Sequence, residues 1–244
     1  MNVLAIGNSF SCNANTYLYD IAKASGANIF NANLVIGGCS LDMHFRNMMA
    51  DRRDYKLELM GVDTGFKISI KEALLNRAWD VVTLQQASHY SAFPHTYTPY
   101  IQELAKYVRT LCPKAKIYIH QTWAYEEGSA KLAAMKFDTQ AAMFEAIKDS
   151  YFKAAELISA DGIIPSGETM QNLVKLGIGQ IHADTFHAKN GAVKYALGLV
   201  WLETLTGKSA LENGFRDFGV PTTDEEVAIA QKAAHDACAL YNLK

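Results

Sequence analysis

Five short apolar runs, each cut off by glycine, proline or polar residues and separated by stretches long enough for a helix, constrain this chain more than any other feature. Val3-Leu4-Ala5-Ile6 stops at Gly7, residues 28–36 stop at Gly37-Gly38, and Asp80-Val81-Val82-Thr83-Leu84, residues 116–120 and Gly162-Ile163-Ile164-Pro165 follow. A run that is apolar throughout, instead of alternating, suits a strand buried on both faces, as in a parallel sheet. Helical spacing fills the gaps at residues 14–24, 41–49, 71–78, 97–111, 168–176 and 191–206. Residues 129–158 are rich in Ala, Met, Lys and Glu and predict one long helix or two collinear ones. Thr223-Asp224-Glu225-Glu226 is a capping box that opens a last helix to about Tyr241. The pattern predicts an α/β fold, a three-layer α/β/α doubly wound sheet of about five parallel strands. Ligands of such sheets sit at the carboxyl ends of the strands.

One stretch breaks the alternation. Residues 55–59 and 66–70 alternate apolar and polar side chains around Gly61-Val62-Asp63-Thr64-Gly65, which predicts a β-hairpin insertion over about 55–70, beside the main sheet. With 244 residues, half of them apolar, and no repeat or linker, the expectation is a single domain over 1–244 with a helical extension at about 207–244. The 23 basic and 25 acidic residues are well mixed, for a net charge of -2, so no nucleic acid or membrane partner is expected. No run approaches the roughly 18 apolar residues of a membrane span. Cys12, Cys39, Cys112 and Cys238 are widely spaced and read as free thiols. His44, His89, His95, His120 and His182 form no metal-binding spacing, so neither a metal nor a cofactor is expected; His89 and His182 are the two best placed to lie near a site. A strand beginning at Asn2 leaves no room for a signal peptide in this stretch, so the compartment stays open between cytoplasmic and, were a leader removed, periplasmic or secreted. The oligomeric state stays open as well.

Ser9 lies two residues past the first strand, on the turn into a helix, where its hydroxyl faces the crevice and unpaired backbone N–H groups are close. A serine is a weak nucleophile until a base takes its proton, and a histidine base needs a carboxylate to hold its tautomer. Asp184 and His187, three residues apart in the loop 177–189, supply both partners. Ser40 and Ser88 are alternative hydroxyls. Gln121, Trp123 and Tyr125 follow the fourth strand on the site side, where an indole or phenol suits stacking on a sugar face. Cys39 reads as a small packed residue.

Together the segments resemble the SGNH, or GDSL-like, esterase and lipase superfamily, whose fold is flavodoxin-like. Gly7-Asn8-Ser9-Phe10 resembles its first block, with Asn8 where Asp is commoner; Gly37-Gly38-Cys39-Ser40 resembles the second, residues 80–86 a variant of the third, and Asp184-Thr185-Phe186-His187 the last. More narrowly, the wording is similar to a largely bacterial branch grouped with carbohydrate esterases, over residues 2 to 205. The resemblance implies Ser9 as nucleophile, His187 as general base and then acid, and Asp184 as orienter. It implies an oxyanion hole from the N–H groups of Ser9 and Gly38 and one side-chain amide. The family's usual Asn is missing, so Gln86 is the expected substitute and Gln85 the second choice, since neighbours in a strand face opposite ways. Asn8, Gln121, Trp123 and Tyr125 are expected to meet substrate. The implied activity is hydrolysis of a short ester, acetyl first, on a small molecule or oligosaccharide. Two alternatives stay open: a lipase, lysophospholipase or thioesterase for longer chains, and a non-catalytic module that binds sugars or nucleotides.

Overall fold

The structure, a computed structural model, describes residues 1–242. Each apolar run becomes a strand: β1 (Asn2–Gly7), β2 (Phe30–Val35), β5 (Val81–Leu84), β6 (Lys116–His120) and β7 (Gly162–Ile164). These five run parallel, with β1 between β2 and β5. The hairpin supplies β3 (Tyr55–Leu59) and β4 (Val62–Ile68), and the order across the sheet is β4-β3-β2-β1-β5-β6-β7. The expected count of about five is therefore corrected to seven. β3 pairs antiparallel with β2, Ala32 opposite Leu59 and Leu34 opposite Leu57, so the hairpin extends the sheet. Without it β2 would present an open edge of unpaired N–H and C=O groups.

The connection from β1 leads to β2 on one side, while β5 lies on the other, which puts the topological switch point between β1 and β5. In register, Ile6 lies beside both Leu34 and Leu84, so the loops after β1, β2 and β5 open together at one edge. Ten α-helices among the described residues cover the sheet: α1 (Ser9–Asn15), α2 (Leu18–Ala24), α3 (Leu41–Met49), α4 (Ile70–Asn76), α5 (Tyr100–Leu111), α6 (Ala130–Ala134), α7 (Gln140–Leu157), α8 (Ser166–Lys175), α9 (Ala192–Thr206) and α10 (Asp224–Asn242). α1, α2, α8, α9 and α10 pack together on one face, and α3, α4 and α5 on the other.

Two helix expectations are corrected. The first helix starts at Ser9, five residues early, because the Asn8 side chain accepts from the Phe10 N–H and caps it; the segment then breaks at Thr16-Tyr17 into α1 and α2. The expected helix at 129–158 divides into α6 and α7, since the chain turns at Lys136 with φ of 61° and Thr139 caps a new helix through the Ala142 N–H.

The stretch 196–202 of α9 is apolar without a break and buried on every side. Against it lies α10, whose Ala230, Ala233, Ala234 and Ala237 are buried. Trp201 of α9 is fully buried, with no hydrogen-bond partner for its indole N–H among the described residues. Trp201→Ala is expected to cost about 3–5 kcal/mol from the cavity it opens. Trp201→Phe should cost far less, because it also removes an unsatisfied buried donor. Urea unfolding of the two variants checks this order.

Candidate active site

The site begins with an asparagine. Asn8 Oδ1 accepts from Phe10 N at 3.0 Å and from Gln85 Nε2 at 2.7 Å, while Asn8 Nδ2 donates to the Cys39 carbonyl at 3.1 Å. One side chain thus ties the loops after β1, β2 and β5 together. The chain of bonds continues inward: Gln85 Oε1 can only accept, so His120 Nδ1 is the donor to it at 2.8 Å, and His120 Nε2 accepts from the Ser166 hydroxyl at 3.0 Å. Burial pushes the His120 pKa down to about 3, so the ring stays neutral and these roles persist. Gly7 is required here, since a Cβ would strike Ser11 Oγ and come within 2.8 Å of Gln85 Oε1.

Ser9, as the first residue of α1, has a backbone N–H with no intrahelical acceptor. Its hydroxyl lies 2.9 Å from His187 Nε2, and His187 Nδ1 lies 2.7 Å from Asp184 Oδ2. Partial burial raises the Asp184 pKa, but the His187 ring N–H and the backbone N–H groups of His187 and Phe186 outweigh it and bring the pKa down to about 2. The carboxylate is therefore an acceptor only. His187 Nδ1 carries the proton that Asp184 holds, and in the neutral ring Nε2 is left free to accept from Ser9.

The loop that carries His187 is held from three directions. Asp184 Oδ1 accepts from His187 N at 2.9 Å, closing a tight turn in which the β-branched Thr185 has φ of 90°, a conformation that persists only when its surroundings over-determine it. Those surroundings are explicit. Glu126 N donates to the Thr185 carbonyl at 2.8 Å, Trp123 Nε1 to the Phe186 carbonyl at 2.8 Å, and Ala188 N to Asn13 Oδ1 at 2.9 Å. Asn13 lies one turn along α1 from Ser9, so Ser9 and the His187 loop share one anchor.

Around Ser9 opens a cleft of about 470 Å³, walled by Gly37, Gly38, Ser88, Tyr125, Phe186 and His187 with Lys131 and Met135 at its side. Gly38 turns with φ of 64°, and nothing lies within 4 Å of where its Cβ would be, so the backbone faces open space. Behind it Cys39 is fully buried beside His44, and burial pushes its thiol pKa up to about 12. A larger groove, about 820 Å³, runs along β7 and does not include Ser9.

Several expected site residues lie elsewhere. Gln86 is 1% exposed and fully engaged: Oε1 accepts from Leu41 N and Ala87 N, and Nε2 donates to the carbonyl and hydroxyl of Thr96. Gln85 serves Asn8 and His120, so neither glutamine amide is free for an oxyanion. Gln121 is buried, its amide donating to Tyr241 and its carbonyl accepting from Glu168 N. Trp123 is 0% exposed and stacks on Phe10 with centroids 4.0 Å apart, so it supports the site from behind and offers no face to a sugar. Asn8 borders the cleft with its side chain consumed by the bonds above. Of the four residues expected to meet substrate, Tyr125 alone has a functional group that remains at the cleft wall, where its hydroxyl lies 3.0 Å from Ser88 Oγ. His89 lines the cleft, whereas His182 bonds the Ala124 carbonyl behind it.

Asn13 and Lys131 are residues at or behind the cleft that the sequence motifs do not single out, whereas Ser88, one of the alternative hydroxyls, and Phe186, inside the last block, line it. Asn13 carries a legible signal, one helical turn from Ser9. Lys131, on a short helix far from every motif, carries none. Among the described residues no group of three His, Cys, Asp or Glu is placed to hold a metal ion, and no helix is long and apolar enough to cross a membrane.

A family model described as a domain of unknown function, DUF4886, matches residues 2–237. No curated protein sequence matches. A solved DUF4886 family protein from Bacteroides uniformis is 33% identical, with a TM-score of 0.90 over 100% of this chain and 96% of its own. A candidate SGNH hydrolase from Slackia heliotrinireducens is 23% identical, with a TM-score of 0.61 over 84% of this chain and 98% of its own. Phospholipase A1 from Streptomyces albidoflavus is 11% identical, with a TM-score of 0.50 over 85% of this chain and 98% of its own. The last two likenesses are of fold.

The low Asp184 pKa has a sign that can be tested. A carboxylate depressed from its usual value near 3.9 stabilises the fold fully above that value and loses its contribution as pH falls towards about 2. Asp184→Asn should therefore show its full loss of stability at about pH 6 and a smaller one at about pH 3, read from urea midpoints. At 50% side-chain exposure the difference is expected to be modest.

Proposed function

The chain belongs to the DUF4886 family, and for this member we propose a serine hydrolase of SGNH type that acts on carboxylic esters. What carries the reading is the continuous path Ser9 Oγ, His187 Nε2, His187 Nδ1, Asp184 Oδ2, with steps of 2.9 Å and 2.7 Å across the ring, opening on a cleft. Ser9 Oγ attacks the ester carbonyl as His187 Nε2 takes its proton. The tetrahedral intermediate collapses as His187 returns that proton to the departing alkoxide, leaving an acyl-Ser9. Water then attacks the acyl carbon, His187 again acting as base, and the acid leaves as Ser9 regains its proton. Asp184 orients the ring throughout and remains ionised.

The developing oxyanion is assigned to the backbone N–H groups of Ser9 and Gly38. With both glutamines engaged, the third donor is assigned to Ser88, two residues past Gln86 on the same loop, with the Tyr125 hydroxyl as its partner. A hydroxyl backed by a second hydroxyl can donate forward while accepting from behind. The acyl group is proposed as short, acetyl first, because the cleft has the dimensions of a small-molecule site, and the alcohol as a carbohydrate on the resemblance of the motifs alone.

Ser9→Ala is expected to abolish hydrolysis of p-nitrophenyl acetate and labelling by a fluorophosphonate with the circular dichroism spectrum unchanged. Turnover at the wild-type rate in that variant would refute the assignment. Ser88→Ala should lower kcat by roughly 10²–10³, the usual loss for one oxyanion donor, with a smaller effect on KM. Rates from acetyl to octanoyl esters should fall with chain length; a rise would favour a lipase.

A further inference from the structure

Lys131 is the one residue with a full formal charge at neutral pH that lines the cleft, and it faces no carboxylate. Its Nζ lies 3.7 Å from the centroid of the Phe186 ring and 5.7 Å from that of Tyr125. Phe186 in turn lies against His187, with centroids 3.9 Å apart. The ammonium is thus held over an aromatic floor one ring away from the proposed base. Among the described residues it makes no ion pair. The carboxylates nearest in sequence act elsewhere: Glu127 accepts from Gln140 N at 2.6 Å, and the charge of Glu126 bears on His182. Asp184 is engaged by His187, its Oδ2 lying 2.7 Å from Nδ1. His89, which lines the wall along with His187, is kept towards its neutral form by burial and by Lys131 itself.

An exposed lysine ordinarily finds a carboxylate or turns into water. Here the ammonium rests over aromatic faces, a contact that attracts the cation weakly and restricts it without neutralising it. A restricted, uncompensated cation at a cleft wall is a receptor for an anion, and it loses little freedom when the anion arrives. An ammonium acts as a point charge, suited to a carboxylate or a phosphate group. The acidic residues that would repel such a group are absent from the wall.

We infer that this cleft selects esters that carry a negatively charged group, carboxylate or phosphate, close to the scissile carbonyl, and that Lys131 Nζ receives it. The inference rests on the reading of Ser9 and His187 as an ester-hydrolysing pair. It narrows the substrate class from short esters in general to anionic ones, and makes Lys131 the residue that determines the preference.

The test compares kcat/KM for 4-acetoxybenzoate, 4-acetoxyphenyl phosphate and the neutral 4-acetoxybenzamide in the wild type, Lys131→Met and Lys131→Glu. Reading each anionic-to-neutral ratio against the wild type cancels the intrinsic reactivity of the esters. Met keeps an apolar stem on Phe186 and removes the charge, so the ratio is expected to fall about tenfold, and Glu should lower it further. Raising salt from about 0.05 to 0.5 M should narrow the wild-type ratio and leave that of Lys131→Met flat. If both anions lose the same factor, charge alone is recognised; if one loses more, it is the better model of the natural group. Ratios unchanged in both variants would overturn the inference.

A binding measurement separates this failure from failure of the hydrolase reading. In Ser9→Ala protein, 4-hydroxybenzoate should bind more tightly than 4-hydroxybenzamide by NMR titration, and Lys131→Met in that background should remove the difference. Hydrolysis without any charge preference overturns the Lys131 assignment alone. Anion preference without hydrolysis overturns the enzyme reading and leaves the anion site standing.

Discussion

The bonds around the Asn8 side chain are the constraint on which the site depends. A parallel sheet brings its strand ends to one edge, but the loops leaving those ends have no regular partner of their own. Asn8 supplies one: its carbonyl oxygen caps α1 and receives Gln85, and its amide holds the Cys39 carbonyl. Because each partner is buried, loss of any bond would leave a polar atom unsatisfied, which is costlier than the bond is favourable. Ser9 follows Asn8 directly, so its position is set by a node that also sets the Gly37-Gly38 turn. Neutral His120 extends the node to β6 and to Ser166 at the start of α8.

His187 arrives from the far end of the chain, 178 residues after Ser9, and reaches the node by a different device. Its loop is anchored to α1 through Asn13 and to the segment after β6 through Trp123 and Glu126. Trp123, Phe10 and Phe186 form an aromatic layer under the histidine. The strained Thr185 shows how tightly this support is drawn. Hydrogen bonds, aromatic packing and the Asp184 carboxylate together hold His187 in place, while Lys131 at the cleft wall makes no ion pair among the described residues.

Much of this was legible in the residues. Unbroken apolar runs do mark buried parallel strands, and all five appear within two residues of their expected ends. The spacing Asp184 to His187 closes a turn that brings the two side chains within 2.7 Å. Other features were hidden by their nature. A hairpin's alternation reveals that it is antiparallel, yet which edge it joins depends on where β2 lies. The start of α1 was placed late because the cap at Asn8 reads equally well as part of a glycine turn. Gln86 follows β5 and carries an amide like the family's usual Asn, but Thr96 and the start of α3 take up that amide.

By itself the sequence determined the kinds of element, the placement of Ser9 at a strand end and the pairing of Asp184 with His187. Those are decided by neighbours within a few residues, through periodicity, capping and reach. The tertiary structure alone decided which amides are engaged and which hydroxyls and cations face the cleft. Gln85, Gln86, Gln121 and Trp123 look like site residues in one dimension and are framework in three, while Lys131, unmarked in the sequence, lines the cleft. The physical reason is that a buried polar group takes whatever partner the fold brings within about 3 Å, and those partners come from segments tens of residues away.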